Sequence, residues 1–314
     1  MRIATWNVNS LKARLDKVVW WLERARPDVL MMQETKLADA DAPVGPFRDL
    51  GYELAHHGEG RWNGVAAAVR DGLPVDEIVT NFGDGPVRNS GAGATNLQEE
   101  DFDPSDEARM LGFRVAPPGA GPIRVVSLYA PNGRVVGSPF YAGKLRWFER
   151  VRRWLHETRR PDEALVLGGD LNVAPGDADV WDARLAHGGT HVSEPEREAF
   201  SALLGWGLRD AFRDRNPDIR GRFTWWDYRA GNFHKNFGMR IDHLLVSDPV
   251  ARRIVAIEID REARKGKPIP SDHAPLVVDL DAPGKPFDPG WAEAGARILA
   301  RGGLMPGRSG GPTS

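Results

Sequence analysis

The stretch Leu165-Val166-Leu167-Gly168-Gly169-Asp170-Leu171-Asn172 constrains the fold more than any other part of this chain. Three apolar residues bounded by a glycine pair read as a short buried strand. Asp170 and Asn172 follow at alternate spacing, which points both side chains to the same side. An aspartate there can simply cap the following turn. It can also meet a metal, a cation or a reacting group, because an unpaired charge at the mouth of a buried strand is costly to desolvate. The second reading gains weight because four more stretches end in the same way.

In chain order, residues 2–8 alternate and end in Asn7-Val8-Asn9-Ser10. Asn9 or Ser10 can cap a helix whose apolar residues Leu11, Leu15, Val18, Val19, Leu22 and Ala25 recur at helical spacing until Pro27 stops it. Val29-Leu30-Met31-Met32 then reads as a second buried strand that delivers Gln33, Glu34 and Thr35 at its end. Strand, helix and strand with polar termini is the βαβ pattern, in which ligands gather at the carboxyl ends of the strands. Further strands are expected at 52–56, 64–70, 110–115 and 123–128, the last running into Tyr129-Ala130-Pro131-Asn132-Gly133-Arg134. Helices are expected at 141–158 and 194–206, and strands at 223–228, 240–246, 254–259 and 274–280. Residues 83–107, rich in Gly, Ser, Asn and acidic residues, read as a mobile surface insertion. After Asp281 the chain turns to Pro and Gly, so one catalytic domain over 1–281 and a largely disordered tail over 282–314, with a short helix around 291–300, are expected.

With 42 basic and 44 acidic residues the net charge is −2, so any anion must be held by a local patch. The chain has no cysteine, which leaves oxygen and imidazole as the only metal ligands. Neither a signal-peptide core nor an apolar run longer than Val65 to Val69 is present, so a cytoplasmic protein without membrane contact is expected. His56, His57, His156, His187, His191 and His234 read as surface residues, and His243 as structural.

Collected, the strand-terminal polar residues are Asn7, Glu34, Tyr129, Asn132, Asp170, Asn172, Asp242, Asp272 and His273. Glu34, Asp170 and Asp272 each adjoin a buried strand, with no basic neighbour in sequence expected to pair with them. Carboxylates and amides are hard donors suited to Mg²⁺ or Mn²⁺, and with so few strong ligands such an ion shares its shell with water and a substrate phosphate. That combination describes metal-assisted phosphodiester hydrolysis.

Six motifs, Trp6-Asn7-Val8-Asn9-Ser10-Leu11, Gln33-Glu34-Thr35-Lys36, Gly169-Asp170-Leu171-Asn172, Phe223-Thr224-Trp225-Trp226-Asp227-Tyr228-Arg229, Arg240-Ile241-Asp242 and Ser271-Asp272-His273-Ala274-Pro275, occur in this order. The series resembles the exonuclease III family of apurinic/apyrimidinic endonucleases, within the endonuclease/exonuclease/phosphatase superfamily. The resemblance implies a four-layered α/β sandwich, with two central mixed β-sheets flanked by helices. It makes Glu34 the principal metal ligand, with Asn7 and Asp272 beside it. Asp170 then deprotonates the attacking water and Asn172 holds it. His273, polarised by Asp242, contacts the scissile phosphate, and Tyr129 stabilises the phosphate or the leaving oxygen. Asn132 and Arg134 open the loop after Tyr129; Trp225 and Met239 wall the abasic sugar pocket.

Between Arg209 and Arg240, basic residues including Arg213, Arg215, Arg220, Arg222, Arg229 and Lys235 mingle with aromatic ones, as DNA contact requires. Without the catalytic motifs this would read as a loop with exposed arginines and core tryptophans. The function implied is a Mg²⁺-dependent DNA repair nuclease, with Mn²⁺ as a substitute, that cuts 5′ to abasic sites and also has 3′–5′ exonuclease and 3′-end-cleaning activity. Its partner is double-stranded DNA with abasic sites or blocked 3′ ends, and a nucleoid-associated monomer with no obligate protein partner is expected. Among other activities of the superfamily, a sphingomyelinase or inositol phosphate phosphatase is disfavoured by Trp225 and the stretch from Arg222 to Arg229, and a non-catalytic DNA-binding module by the complete set of polar strand ends.

Overall fold

A computed structural model describes residues 1–83, 102–267 and 269–284. In chain order the elements are β1 (Arg2–Asn7), α1 (Leu11–Ala25), β2 (Val29–Gln33), α2 (Val44–Asp49), β3 (Tyr52–His57), β4 (Val65–Arg70), β5 (Val75–Thr80), β6 (Met110–Val115) and β7 (Ile123–Tyr129). There follow α3 (Pro139–Thr158), β8 (Leu165–Asp170), α4 (Ala183–Ala186), α5 (Glu194–Gly205), β9 (Leu208–Asp210), α6 (Ala211–Arg215), α7 (Asn232–Lys235), β10 (Asp242–Ser247), α8 (Asp248–Ala251), β11 (Ile254–Ile259) and β12 (Leu276–Leu280). None of the described helices is long and apolar enough to cross a membrane.

The strands form two six-stranded mixed sheets, ordered β11-β12-β1-β2-β4-β3 and β5-β6-β7-β8-β10-β9. Each contains one parallel pair, β1 with β2 and β7 with β8. Alternation along the strands sends Ile3, Val29, Met31 and Ala67 of the first sheet against Val125, Val166, Leu244 and Val246 of the second, giving an apolar layer between the sheets. The far face of the second sheet (Val126, Leu128, Leu165, Leu167) packs on Trp147, Phe148, Val151 and Leu155 of α3 and on Phe200 and Leu203 of α5. On the outer side of the first sheet Trp6 meets Trp21 of α1 with ring centroids 5.7 Å apart. Helix, sheet, sheet and helix make the expected four layers.

The glycine pair in β8 has a steric cause. A Cβ at Gly169 would lie 1.8 Å from the Leu128 carbonyl oxygen, so no side chain is tolerated where the parallel neighbour passes. Helix α1 begins as expected, with the Ser10 hydroxyl accepting from the Ala13 N–H at 3.4 Å, and it ends at Arg26, whose backbone is left-handed, immediately before Pro27.

Three sequence expectations need correction. The 223–228 stretch is no strand: Trp225 makes isolated bridges to Met239 and His273, and Phe223 and Trp226 enter the buried core without joining either sheet ladder. Strand β5 was not anticipated, because its largely exposed face and a register shift between Asp76 and Val79 remove the apolar alternation. The three-residue β9 is too short to leave a periodic signal. Of the expected insertion, residues 84–101 lie outside the described residues, as does the whole of 285–314, including the expected helix around 291–300. Residues 102–107 are anchored, with Phe102 against Phe140 of α3 at 4.7 Å and a short turn of 3-10 helix at Pro104–Asp106.

Candidate active site

Register brings the polar strand ends together. In the second sheet Asp170 lies opposite Tyr129 on one side and Asp242 on the other. In the first sheet Asn7 pairs with Gln33, which places Glu34 one residue beyond, and antiparallel β12 returns His273 to the same end of β1. The carboxyl ends of β1, β2, β7 and β8 and the amino ends of β10 and β12 therefore open on one cleft.

Within it, the Asn7 amide nitrogen donates at 2.9 Å both to Glu34 Oε1 and to Asp170 Oδ2, tying the two sheets at their rims. The Tyr129 hydroxyl donates to Glu34 Oε1 at 2.9 Å. Lys36 Nζ lies 2.9 Å from Glu34 Oε2, so Glu34 does have a basic partner two residues away, contrary to the sequence reading. Glu34 adopts a left-handed backbone (φ 53°), a conformation costing on the order of 1–3 kcal/mol. Its carbonyl accepts from the Ser10 N–H at 2.7 Å, and the Thr35 N–H donates to Gly64 at 3.2 Å, which hold the turn.

Asp170 accepts from the Asn172 N–H at 2.9 Å and from the Asn172 amide at 3.3 Å. The two side chains do share a side, but through a left-handed turn at Asn172 (φ 52°) after the strand has ended, not through strand alternation. The Asn172 amide also donates to the Ala130 carbonyl at 3.0 Å, and the Asn132 amide donates to Asn172 Oδ1 at 3.3 Å. His273 Nδ1 lies 2.8 Å from Asp242 Oδ2 and its Nε2 3.9 Å from Asp170 Oδ2. The Ser271 hydroxyl donates to the Asn7 carbonyl at 2.7 Å and accepts from the His273 N–H at 3.1 Å, and the Thr224 hydroxyl accepts from the Asp242 N–H at 3.1 Å.

Electrostatics follow from this burial. Desolvation, followed by the nearby Asp242 charge, pushes the Asp170 carboxyl up to about 7, partly opposed by His273 and the Asn7 hydrogen bond. For His273 burial works against the charged ring, yet Asp242, Asp170 and Asp272 together outweigh it and raise the imidazole to about 10. Burial, then the Glu34 carboxylate, keeps the Tyr129 hydroxyl protonated well above its usual range.

Glu34, Asp170 and His273 place ligand-type atoms within 4.8 Å of one another. His273 is nevertheless a poor ligand, because Asp242 keeps the ring protonated at neutral pH and an imidazolium has no free lone pair. The set that fits a cation is the two carboxylates with surrounding oxygen donors, which suits a hard divalent ion. Asp272 stands apart: its Oδ1 accepts from the Asn9 amide at 2.9 Å and its Oδ2 from the Trp225 indole N–H at 3.1 Å.

The expected DNA-contact residues are only partly gathered. Asn132 reaches the cluster, and Trp225 and Met239, bridged through their backbones, sit half-buried beside His273 and Asp272. Arg134 is exposed with its guanidinium 3.5 Å from the Phe140 ring centroid, Arg229 is exposed and engaged by Asp227 at 2.6 Å, and Arg222 is half-buried near Arg261. Much of the basic run from 209 to 240 is structural. Arg240 is fully buried between Asp179 and Asp210 (2.7 Å each), Arg213 also binds Asp179 at 2.6 Å, and Arg209 binds Asp248 at 2.6 Å.

Two histidines read as surface residues are not. His56 is held between Thr35 Oγ1 at 2.8 Å and Asp39 Oδ1 at 2.7 Å, with its side chain 3% exposed. His191 Nδ1 lies 2.6 Å from the Asn172 carbonyl, and burial followed by the Lys144 charge holds the ring down near 4, hence neutral. Buried His243 packs on Phe200, with Nε2 2.9 Å from the Val173 carbonyl and Nδ1 3.0 Å from Arg240. Sequence reasoning also passed over Arg109, which is buried under Tyr129 with its guanidinium 4.6 Å from the ring centroid, and over Lys144 of α3, whose signal was a lysine on an otherwise apolar helix face.

Comparison with known proteins follows the same lines. The model of the endonuclease/exonuclease/phosphatase family matches residues 4–273. Exodeoxyribonuclease III of Haemophilus influenzae is 29% identical over 89% of this chain and 100% of its own length, and an exodeoxyribonuclease of Bacillus subtilis is 27% identical over 90% and 100%. Among solved structures, an AP endonuclease from Archaeoglobus fulgidus superposes with a TM-score of 0.76 at 32% identity, covering 90% of this chain and 100% of that one. The 3′ phosphatase NExo from Neisseria, bound to a product DNA hairpin, gives 0.77 at 32% identity with the same coverage. With its sheets, its cleft and nearly its whole described length accounted for in this way, the chain belongs to the endonuclease/exonuclease/phosphatase family, on its exodeoxyribonuclease III branch.

Proposed function

We propose that the protein is a Mg²⁺-dependent DNA repair nuclease, able to use Mn²⁺, that hydrolyses the phosphodiester 5′ to an abasic site and clears blocked 3′ ends. The observation that carries this reading is the Asn7 amide, which joins Glu34 and Asp170 at 2.9 Å each, with the Asp242–His273 pair beside them. That group offers an acceptor for a water proton, an oxygen ligand for a cation and a fixed positive ring within a few ångströms.

A divalent cation held by Glu34, with the Asn7 side chain and Asp170 beside it, supplies Lewis-acid stabilisation of the phosphate. The rest belongs to the chain. Asp170, raised towards neutrality by burial and Asp242, is poised to take a proton from the attacking water, and Asn172 and Asn7 fix the direction its oxygens face. His273, kept charged by Asp242, meets the negative charge that grows on the phosphate oxygens. Tyr129, kept protonated, is a hydrogen-bond donor for a phosphate or leaving oxygen. Trp225 and Met239 give an apolar wall beside this point, suited to a sugar without a base. Such a nucleotide is easier to unstack than an intact one. A nucleoid-associated cytoplasmic monomer with one catalytic domain over 1–281 completes the reading.

A second emphasis, removal of 3′-terminal phosphate, is supported by the likeness to the Neisseria 3′ phosphatase and to a 3′–5′ exonuclease from Neisseria meningitidis, which is 33% identical. Purified protein is to be given duplexes carrying an internal abasic site or a 3′ phosphate, with Mg²⁺ and then with EDTA. Incision of the first that EDTA abolishes is the expected result. Turnover of the 3′ phosphate alone would move the assignment to end processing, and turnover of neither would end it.

A further inference from the structure

The pair Lys144–Glu196 is the most thoroughly buried charged contact beside the cleft, both side chains being 0% exposed. A buried ion pair is weak evidence of stability, since well-packed apolar residues of similar volume often hold a fold as well or better. What distinguishes this one is what it holds. Lys144 Nζ donates to the Asn172 carbonyl at 2.6 Å and lies 3.5 Å from the Asn132 carbonyl. Glu196 gathers the surrounding loop, accepting from the His191 N–H at 3.0 Å, the Thr190 hydroxyl at 3.3 Å and the Ser193 hydroxyl at 2.6 Å. Neutral His191 places Nδ1 2.6 Å from the same Asn172 carbonyl, and the Thr190 hydroxyl is 3.3 Å from that of Asn132.

The two asparagines are thus joined in front, amide to amide at 3.3 Å, and gripped behind by their carbonyls. Asn172 needs such a grip, because its backbone is left-handed and its N–H and side chain aim Asp170. Gly133 makes room for it: with φ 84°, any Cβ there would stand 3.0 Å from Lys144 Cδ. We propose that Lys144, clamped by Glu196 and seconded by His191, is a positioning residue for the hydrolytic step, fixing the Asn132 and Asn172 turns so that Asn172 orients Asp170. This inference rests on the reading in which Asp170 and Asn172 manage the attacking water.

The test is a cycle of the full chain, steady-state kinetics with Mg²⁺ on the abasic and 3′-phosphate duplexes. Lys144→Met with Glu196→Gln removes both charges together and keeps an amide oxygen as acceptor for the loop donors, so the fold is expected to survive thermal unfolding near the wild-type midpoint. We expect kcat to fall about ten-fold or more, since small misplacements of catalytic groups cost that much. KM should change by less than about three-fold. In an Asn172→Ala background the same pair of substitutions should cost almost nothing further, because the group acts through Asn172.

Wild-type kcat in the double variant, or an equal loss in both backgrounds, would overturn the proposal. Should the double variant fail to fold, His191→Ala, which removes only the second donor, is read in the same cycle: a kcat loss that disappears beside Asn172→Ala supports the clamp, and anything else overturns it. Full activity of Asn172→Ala alone would instead refute the underlying assignment of Asp170 and Asn172.

Discussion

Asp170 and His273 are each driven away from ordinary titration by the same neighbour, and in opposite roles. Asp242 helps keep the Asp170 carboxyl near 7 and the His273 ring near 10. The imidazolium persists well above the ordinary histidine range and is lost only as pH rises through about 10. Asp242→Asn removes the partner, burial then dominates, and the falling limb of the pH–rate profile should move to lower pH; an unmoved limb would show that His273 does not set it. Asp170→Asn should lower kcat by about 10²–10⁴-fold while DNA affinity measured by equilibrium binding holds. Retained turnover would displace Asp170 as the base. These residues were readable as candidates because each borders an apolar run, Asp170 at its close and Asp242 and His273 at its start. Their partners were less so: Lys36 was close enough in sequence to be noticed beside Glu34, whereas His191 on the Asn172 carbonyl and Arg109 under Tyr129 depend on chain crossings that leave no local trace.

Among the elements, the edges of the sheets were hardest to read and the centres easiest. Strands β2 and β8 are near-continuous apolar runs up to their polar ends because both faces are covered, whereas β5 lies at an edge with most of its residues in water. The amino end of β10 is secured by charge instead of apolar packing. Burial opposes ionisation of Asp179 and Asp210, but Arg240 overcomes it and holds both carboxyls below their usual value. Depressed groups of this kind contribute stability above about pH 4 and lose it as pH falls through their folded values. Arg240→Met strips Asp210 of its guanidinium and leaves Asp179 with Arg213 alone, which should cost about 3–5 kcal/mol in urea unfolding at neutral pH, with the deficit shrinking on acidification as the carboxylates protonate. A deficit independent of pH would mean that lost packing, not charge, is responsible.

For the whole molecule, residues Met1–Gly284 form one compact unit. Its last described strand is fastened to the first, since Arg2 pairs with Asp279 at 2.7 Å and Asp279 accepts from the Gly284 N–H at 2.7 Å. A chain ending at Gly284 should therefore unfold at the full-length midpoint and keep its kcat, whereas one ending before Asp279 should be destabilised by loss of that buried pair. Thermal unfolding and incision rate, measured on both truncations, decide whether the catalytic domain closes where we place it. The near-neutral net charge fits an anion site confined to the cleft, and within the basic 209–240 run Arg213 and Arg240 are taken up by Asp179 and Asp210.

The sequence by itself determined the apolar periods, the polar residue closing each strand and the order of the six motifs, because periodicity and strand termini are local properties of the chain. Only the tertiary structure decided that Asn7, Glu34, Asp170, Asp242 and His273 meet in one cleft, and that Arg240 and Lys144 lie inside with their charges matched. Register and layer packing join residues more than a hundred positions apart, and burial then sets their protonation. Neither quantity exists until the two sheets have closed on each other.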